Sequence, residues 1–455
     1  YRPGPDEDPY NCFITKCYVR GADDGPLARK RVGLKDHVAV AGVPMTLASS
    51  LMKDFIPDVD ATIVTRLLDA GADIVGKLNL DTFSHGSHGF GTGIGDYPRV
   101  KNPHNPEHLS GGSSSGSGAA VAAGLVDLAI GGDQGGSIRI PAAWCGVIGH
   151  KPSHGLVPHT GIVGLEPLID YAGPMGRRVE DVARMLQCIA GRDGLDPRQV
   201  DVPEPEPYAD MLSEDIEGVR IGVLREGFGQ EGAEPDVDEA VREAVEVLRK
   251  KGAKVAEISI PEHLTYGRVP LAMVFIGTCM LMSTYGSLIA QGYQHTQFIE
   301  VFGKYVDSRA DQLPPRVKFS AVLSELLGYE AYKYHGKIHN LARKLRQAYD
   351  RALQEVDCLV MPTVPLKAPR YEPPRDRLEA LRRAVARRHG VPVTRNTAPF
   401  NVSGHPALSV PCGLRQGLPV GMMLVGRKYE DGLLLKIAYA YQQSVDWDKY
   451  FLTAV

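Results

Sequence analysis

The chain has 455 residues, 43% of them hydrophobic and 23% charged, with a formal net charge of −3. This is ordinary globular composition, which excludes a disordered chain, and the charge balance gives no footprint for nucleic acid or an anionic membrane surface. A small-molecule partner is expected instead. Seven cysteines (Cys12, Cys17, Cys145, Cys188, Cys279, Cys358, Cys412) are scattered without a Cys-x-x-Cys pair, so neither a disulfide framework nor a zinc ribbon is indicated. No apolar run approaches the roughly 20 residues of a membrane span, and no leader opens the chain. A cytoplasmic protein without membrane contact is the expectation.

In chain order, the first forty residues are turn-rich until Arg31-Val-Gly-Leu-Lys-Asp-His-Val-Ala-Val40, which reads as a buried strand around a lysine. From Asp60 a helical pattern (Ile63, Val64, Leu67, Leu68) stops at Gly71, and Ala72–Val75 follows as a short strand. Residues 84–118 form a long Gly, Ser, His, Asn and Pro loop of the kind that carries function. A small-residue helix (Ala119–Ala123) and a strand (Leu128–Ile130) come next. The unit 219–260 predicts strand, helix and strand in parallel pairing, with Asp236 as N-cap and Val241, Ala244, Val245 and Leu248 facing inward. Helices are predicted over 329–353 and 378–388, and no repeat is present. This alternation is α/β, read as one domain over 1–455 with a helical insertion at 264–355 that contributes to the substrate pocket.

Several motifs imitate function. Gly71-Ala-Asp-Ile-Val-Gly-Lys77-Leu78 approaches a phosphate-binding loop but has Leu78 where Mg²⁺ needs a hydroxyl. Lys77 reads as a lysine at a strand end, exposed and charged. Gly227-Phe-Gly-Gln-Glu-Gly232 matches a dinucleotide fingerprint, yet Glu231, Glu234 and Asp236 would repel a pyrophosphate. Gly112-Ser-Ser114-Ser-Gly116 fits a nucleophile elbow without the strand that must precede it. His85, His88, His104 and His108 lack metal-ligand spacing, and the basic helices 329–353 and 378–388 read as solvated faces.

Two glycine-serine loops stand apart: Ser110-Gly-Gly-Ser-Ser-Ser-Gly-Ser-Gly-Ala-Ala120 and Gly131-Gly-Asp-Gln-Gly-Gly-Ser-Ile-Arg-Ile-Pro-Ala142. The first, taken alone, has linker composition. The second lies between apolar segments, and Gly135 and Gly136 leave the backbone amides before Ser137 unshielded, as an oxyanion site requires. The helix and strand between the loops can return one beside the other.

These loops resemble the signature of the amidase signature family. The resemblance extends to Gly33-Leu-Lys-Asp-His-Val-Ala-Val-Ala-Gly-Val-Pro44, to Val75-Gly-Lys-Leu-Asn79 and to Asn401-Val-Ser-Gly-His-Pro-Ala-Leu-Ser-Val-Pro-Cys-Gly413. Gly191-Arg-Asp-Gly-Leu-Asp-Pro-Arg198 is similar to the bacterial amidases that act after nitrile hydratases, although the loop between Lys77 and Ser113 is longer here and their N-terminal helical segment is missing. The family likeness implies a large mixed β-sheet core covered by helices on both faces. It implies Ser137 as nucleophile, Ser113 after a cis Gly112–Ser113 bond as proton relay, and Lys35, not Lys77, as base. Chemistry agrees, because a lysine accepts a proton only when neutral, and burial in an apolar strand favours the neutral form.

The same likeness implies an oxyanion held by the amides of Gln134, Gly135 and Gly136, with Asp133 and Arg139 as a structural ion pair. Ser114 and Ile162 are expected at the substrate, and Met273, Phe275, Met280, Met282 and Tyr285 as an apolar wall if they face the site. No metal or organic cofactor is implied, and a homodimer is left open. Three functions fit: an amidase on aromatic or aliphatic amides, a carbamate (urethane) or aryl-anilide hydrolase, and a partner-dependent glutaminase subunit of an amidotransferase.

Overall fold

The computed structural model describes the chain apart from residues 87–95, 268, 287–291, 377, 380, 383–392 and 452–455. Eleven strands form one mixed sheet: β1 (Phe13–Val19), β2 (Arg31–Lys35), β3 (Asp73–Leu78), β4 (Leu128–Gly132), β5 (Ile148–Lys151), β6 (Ala172–Gly176), β7 (Arg220–Leu224), β8 (Lys254–Ile258), β9 (Cys358–Pro362), β10 (Ala407–Arg415) and β11 (Leu418–Val425). Their spatial order is β1-β3-β2-β4-β6-β5-β10-β11-β9-β7-β8. β2 lies parallel between β3 and β4, and β7 parallel between β8 and β9, as the crossover helices require. The remaining pairs are antiparallel.

The helices are α1 (Thr62–Asp69), α2 (Ser115–Ala122), α3 (Arg139–Cys145), α4 (Val179–Ile189), α5 (Pro235–Lys250), α6 (Glu262–Thr265), α7 (Val269–Thr284), α8 (Thr296–Arg309), α9 (Pro315–Glu355), α10 (Pro399–Ser403) and α11 (Asp431–Gln442). Both faces of the sheet are covered. On β11 a Cβ at Gly421 would meet Ala143 of α3, whereas Val420 points the other way and pairs with Gly413, where a Cβ would meet Ala240 of α5. α5 buries Val237, Ala240, Val241, Ala244, Val245 and Leu248, a stripe at helical spacing that joins the main core.

The structure moves several boundaries. The strand expected through Val40 ends at Lys35, because the amides of His37 and Val38 turn back to the Lys35 carbonyl at 2.8 and 3.0 Å. α5 is capped at Glu234 with Pro235 in its first turn, so Asp236 lies inside the helix and is not its N-cap. The helix expected over 329–353 is the C-terminal part of the 41-residue α9, and the one expected over 378–388 falls largely outside the described residues. The stretch Glu262–Thr284 is long and apolar enough by composition to cross a membrane, contrary to expectation. Nearly half of its apolar window is buried, and α7 packs on α9 and α10, as an apolar helix within a protein core does.

Candidate active site

Lys35 ends β2 with its side chain fully buried. Its Nζ donates to Ser113 Oγ at 2.8 Å and to the Gly132 carbonyl at 3.2 Å. Burial removes water from the ammonium and lowers its pKa to about 7, although Asp133, Asp81 and Asp170 pull the other way. A lysine near neutrality at ordinary pH can take up and return a proton.

Ser113 follows a cis Gly112–Ser113 peptide bond, and its carbonyl accepts the Asp81 amide at 2.9 Å. The first loop is seated by small residues. A Cβ at Gly116 would stand 2.4 Å from the Cys12 carbonyl oxygen and 2.6 Å from the Asn79 nitrogen, so only glycine lets α2 approach β3 this closely. The second loop closes on the first where the Ser114 amide donates to the Ser137 carbonyl at 3.2 Å. Ser137 itself is 5% exposed, and its hydroxyl has no hydrogen bond among the described residues. The structure thus collects Lys35, Ser113 and Ser137 from three separate segments.

Asp133 organises the second loop. Its carboxylate receives Nε and Nη2 of Arg139, both at 3.0 Å, the Gly136 amide at 2.6 Å, the Ile138 amide at 3.1 Å and Asn401 Nδ2 at 2.8 Å. Burial would raise this carboxyl, but the Arg139 charge and these donors hold it well below the usual carboxylate range. Arg139 also donates to the Thr397 carbonyl at 2.8 Å and to Asn401 Oδ1 at 2.7 Å. Both charges are fully buried. Arg139→Met should therefore lower the unfolding free energy by about 3–5 kcal/mol by stranding Asp133, read as a fall in urea midpoint at unchanged slope.

One expected oxyanion donor is corrected here. The Gly136 amide is committed to the Asp133 carboxylate at 2.6 Å. The amides of Gln134, Gly135 and Ser137 have no acceptor among the described residues and are the ones left free to receive an oxygen. Ser114 is corrected as well. Its hydroxyl donates to the Gly132 carbonyl at 3.0 Å and accepts the Gly132 amide at 3.1 Å, which pins the loop to β4 instead of presenting the hydroxyl to a substrate.

Lys77 is not exposed. It lies within β3, fully buried, with Nζ 2.9 Å from Asp36 Oδ1, while Asp36 Oδ2 accepts the amide and hydroxyl of Thr46 at 2.8 and 2.7 Å. It is the salt-bridged lysine of the pair. The fingerprint at 227–232 is a turn whose Gly229 amide goes to Asp238 at 2.8 Å. His85 bridges the Phe83 carbonyl and the Thr278 hydroxyl, and His104 and His108 bond the Cys145 and Ala368 carbonyls; His88 lies outside the described residues.

Ile162 lines an open cleft together with Leu165, Asp170, Met280, Leu281 and Phe298. Of the apolar wall expected from α7, Met280 reaches this cleft. Met273 packs in a core with Ile169 and Ala342, and Met282 and Tyr285 pack on the cluster of Phe298 and Phe302. Packing at helical spacing accounts for these three. Asp170 carries no signal in the sequence. It takes the Leu165 and Glu166 amides at 2.9 Å and a hydrogen bond from Gln134, so it connects the cleft to the loop of Ser137. Burial raises it to about 6. Asn401 and Thr397 also escape sequence reasoning as site residues, although Asn401 opens the C-terminal segment already noted.

Comparison with known proteins shows the family and the fold. The family model described as Amidase matches residues 14–435. An enantioselective amidase of Rhodococcus rhodochrous is 40% identical over 457 residues, covering 97% of this chain and 85% of the relative. A glutamyl-tRNA(Gln) amidotransferase subunit of Moorella thermoacetica is 37% identical over 443 residues, covering 96% of this chain and 87% of the relative. The crystal structure of the corresponding amidotransferase subunit from Thermotoga maritima superposes with a TM-score of 0.78 at 29% identity, over 96% of this chain and 89% of that one.

Proposed function

This chain belongs to the amidase signature family of amide-hydrolysing enzymes, and from that premise we propose that it hydrolyses small-molecule amides with an apolar acyl group, using Ser137, Ser113 and Lys35. The observation that carries the reading is the 2.8 Å contact between a fully buried lysine, poised near pH 7, and the hydroxyl of Ser113. Ser137 Oγ attacks the carbonyl carbon while its proton passes to Ser113 Oγ and the proton of Ser113 passes to Lys35 Nζ. The amides of Gln134, Gly135 and Ser137 receive the developing oxyanion. As the C–N bond breaks, Lys35 returns its proton through Ser113 to the leaving nitrogen. Water then attacks the acyl ester by the same relay and releases the carboxylate.

The apolar side of the substrate is assigned to the cleft of Ile162, Leu165, Met280 and Leu281. The likeness to the enantioselective amidase of Rhodococcus rhodochrous supports the amidase reading. A second reading, a glutaminase subunit, is favoured by the extensive identity with amidotransferase subunits. Initial rates on benzamide and on a matched N-aryl carbamate, each against Ser137→Ala, separate the readings. Ammonia release from benzamide is expected to be the faster. Faster arylamine release would make the protein a urethane or anilide hydrolase, and inertness on both would favour the partner-dependent glutaminase.

A further inference from the structure

α9 carries His335 and His339 one turn apart on the same face, at the i and i+4 positions. Their Nε2 atoms lie 2.8 Å from each other, with ring centroids 4.1 Å apart. Two imidazole nitrogens this close must share a proton or a cation. The Glu166 carboxylate is the third group, and the donor atoms of all three lie within 4.8 Å of one another. A shared ion about 2.0 Å from each nitrogen requires the nitrogens to stand roughly 3 Å apart, close to the spacing present.

The carboxylate belongs to the segment that walls the cleft, since Leu165 and Pro167 on either side of it line that space. Glu166 is buried, and Oε2 accepts one hydrogen bond, from the Leu168 amide at 2.8 Å; Oε1 has no donor among the described residues. The elements that bring the three ligands together are packed in place. A Cβ at Gly277 of α7 would lie 2.6 Å from Glu166 Cβ, and Ile169, Met273 and Ala342 form one cluster with Ile338 and Leu341 beside His339.

We propose that Glu166, His335 and His339 form a binding site for a divalent transition ion of the zinc class, joining the long helix α9 to the wall of the substrate cleft. Two imidazoles and one carboxylate are a donor set suited to such ions, and three protein ligands leave a fourth position for water. The ion is structural in this assignment and takes no part in the serine chemistry. Its effect on the cleft wall rests on the reading of that cleft as the acyl pocket; its binding does not.

The test is calorimetric titration of chelator-stripped, full-length protein with Zn²⁺ alone, with Co²⁺ absorption as a second readout. One equivalent is expected to bind, with affinity reduced at least tenfold in His339→Ala, in the half-exposed His335→Ala and in Glu166→Gln, all with unchanged circular dichroism. Co²⁺ should give a visible band that changes in Glu166→Gln. Ser137→Ala should bind the metal as the parent does, so loss of the hydrolase reading and loss of the metal site are separable. Absence of stoichiometric binding would overturn the site, as would affinity indifferent to Glu166→Gln, which would leave only a surface histidine pair.

Discussion

Ser137→Ala should reduce turnover of a primary amide by about 10⁴-fold or more, because removing a nucleophile that acts as a unit with its relay leaves only binding and oxyanion stabilisation. Active-site occupancy by a slow acylating inhibitor, followed by intact mass, should show one acyl adduct on the parent and none on the variant. An adduct that persists in Ser137→Ala, or activity within tenfold of the parent, would remove Ser137 from the mechanism. Ser113 is buried and committed to Lys35, so it is not expected to substitute as the site of acylation.

The second large effect concerns Lys35. Its folded pKa is lowered to about 7 by burial, and only the unprotonated amine can accept the proton of Ser113. The rate constant kcat/KM should therefore fall as pH drops through about 7 and level off above it, the limb reporting a group of the free enzyme. Glu166 also lies near 7, so the limb must survive in Glu166→Gln if Lys35 is its source. Lys35→Ala should lose about 10²–10⁴-fold in kcat/KM and lose the limb. Lys77→Met supplies the contrast. By stranding Asp36 it should cost several kcal/mol of stability while the surviving folded molecules keep the parent's pH limb.

The α/β class and the two glycine-serine loops are legible because each depends on local pattern, whereas the choice of Lys35 over Lys77 comes from the family resemblance. Gly135-Gly136-Ser137 and the lone lysine of an apolar strand are features of neighbours in sequence. The sequence does not state where an amide points. Gly136 and Gln134 look equivalent in the chain, and only the placement of Asp133 turns the Gly136 amide inward and leaves that of Ser137 free. Burial of Lys77 is hidden for the same reason, since its partner Asp36 is supplied by the turn after β2. The apolar residues of α7 divide between cleft and core according to helix rotation, which composition along a uniformly apolar helix does not reveal. The spacing of His335 and His339 is visible in the sequence, but Glu166 is 169 positions from His335 and joins them through tertiary packing alone.

The order of the sheet bears on how the molecule is made. β10 and β11, the last strands of the sheet in chain order, occupy its middle, between β5 and β9, and Asn401 and Thr397 just before them hold Arg139 and Asp133. Until the chain has been synthesised through Val425, β1 to β6 and β7 to β9 can form only two partial sheets with exposed edges, and the loop of Ser137 lacks its supports. The loop of Ser137 therefore receives its support from Thr397 and Asn401 only when the C-terminal segment joins the two halves.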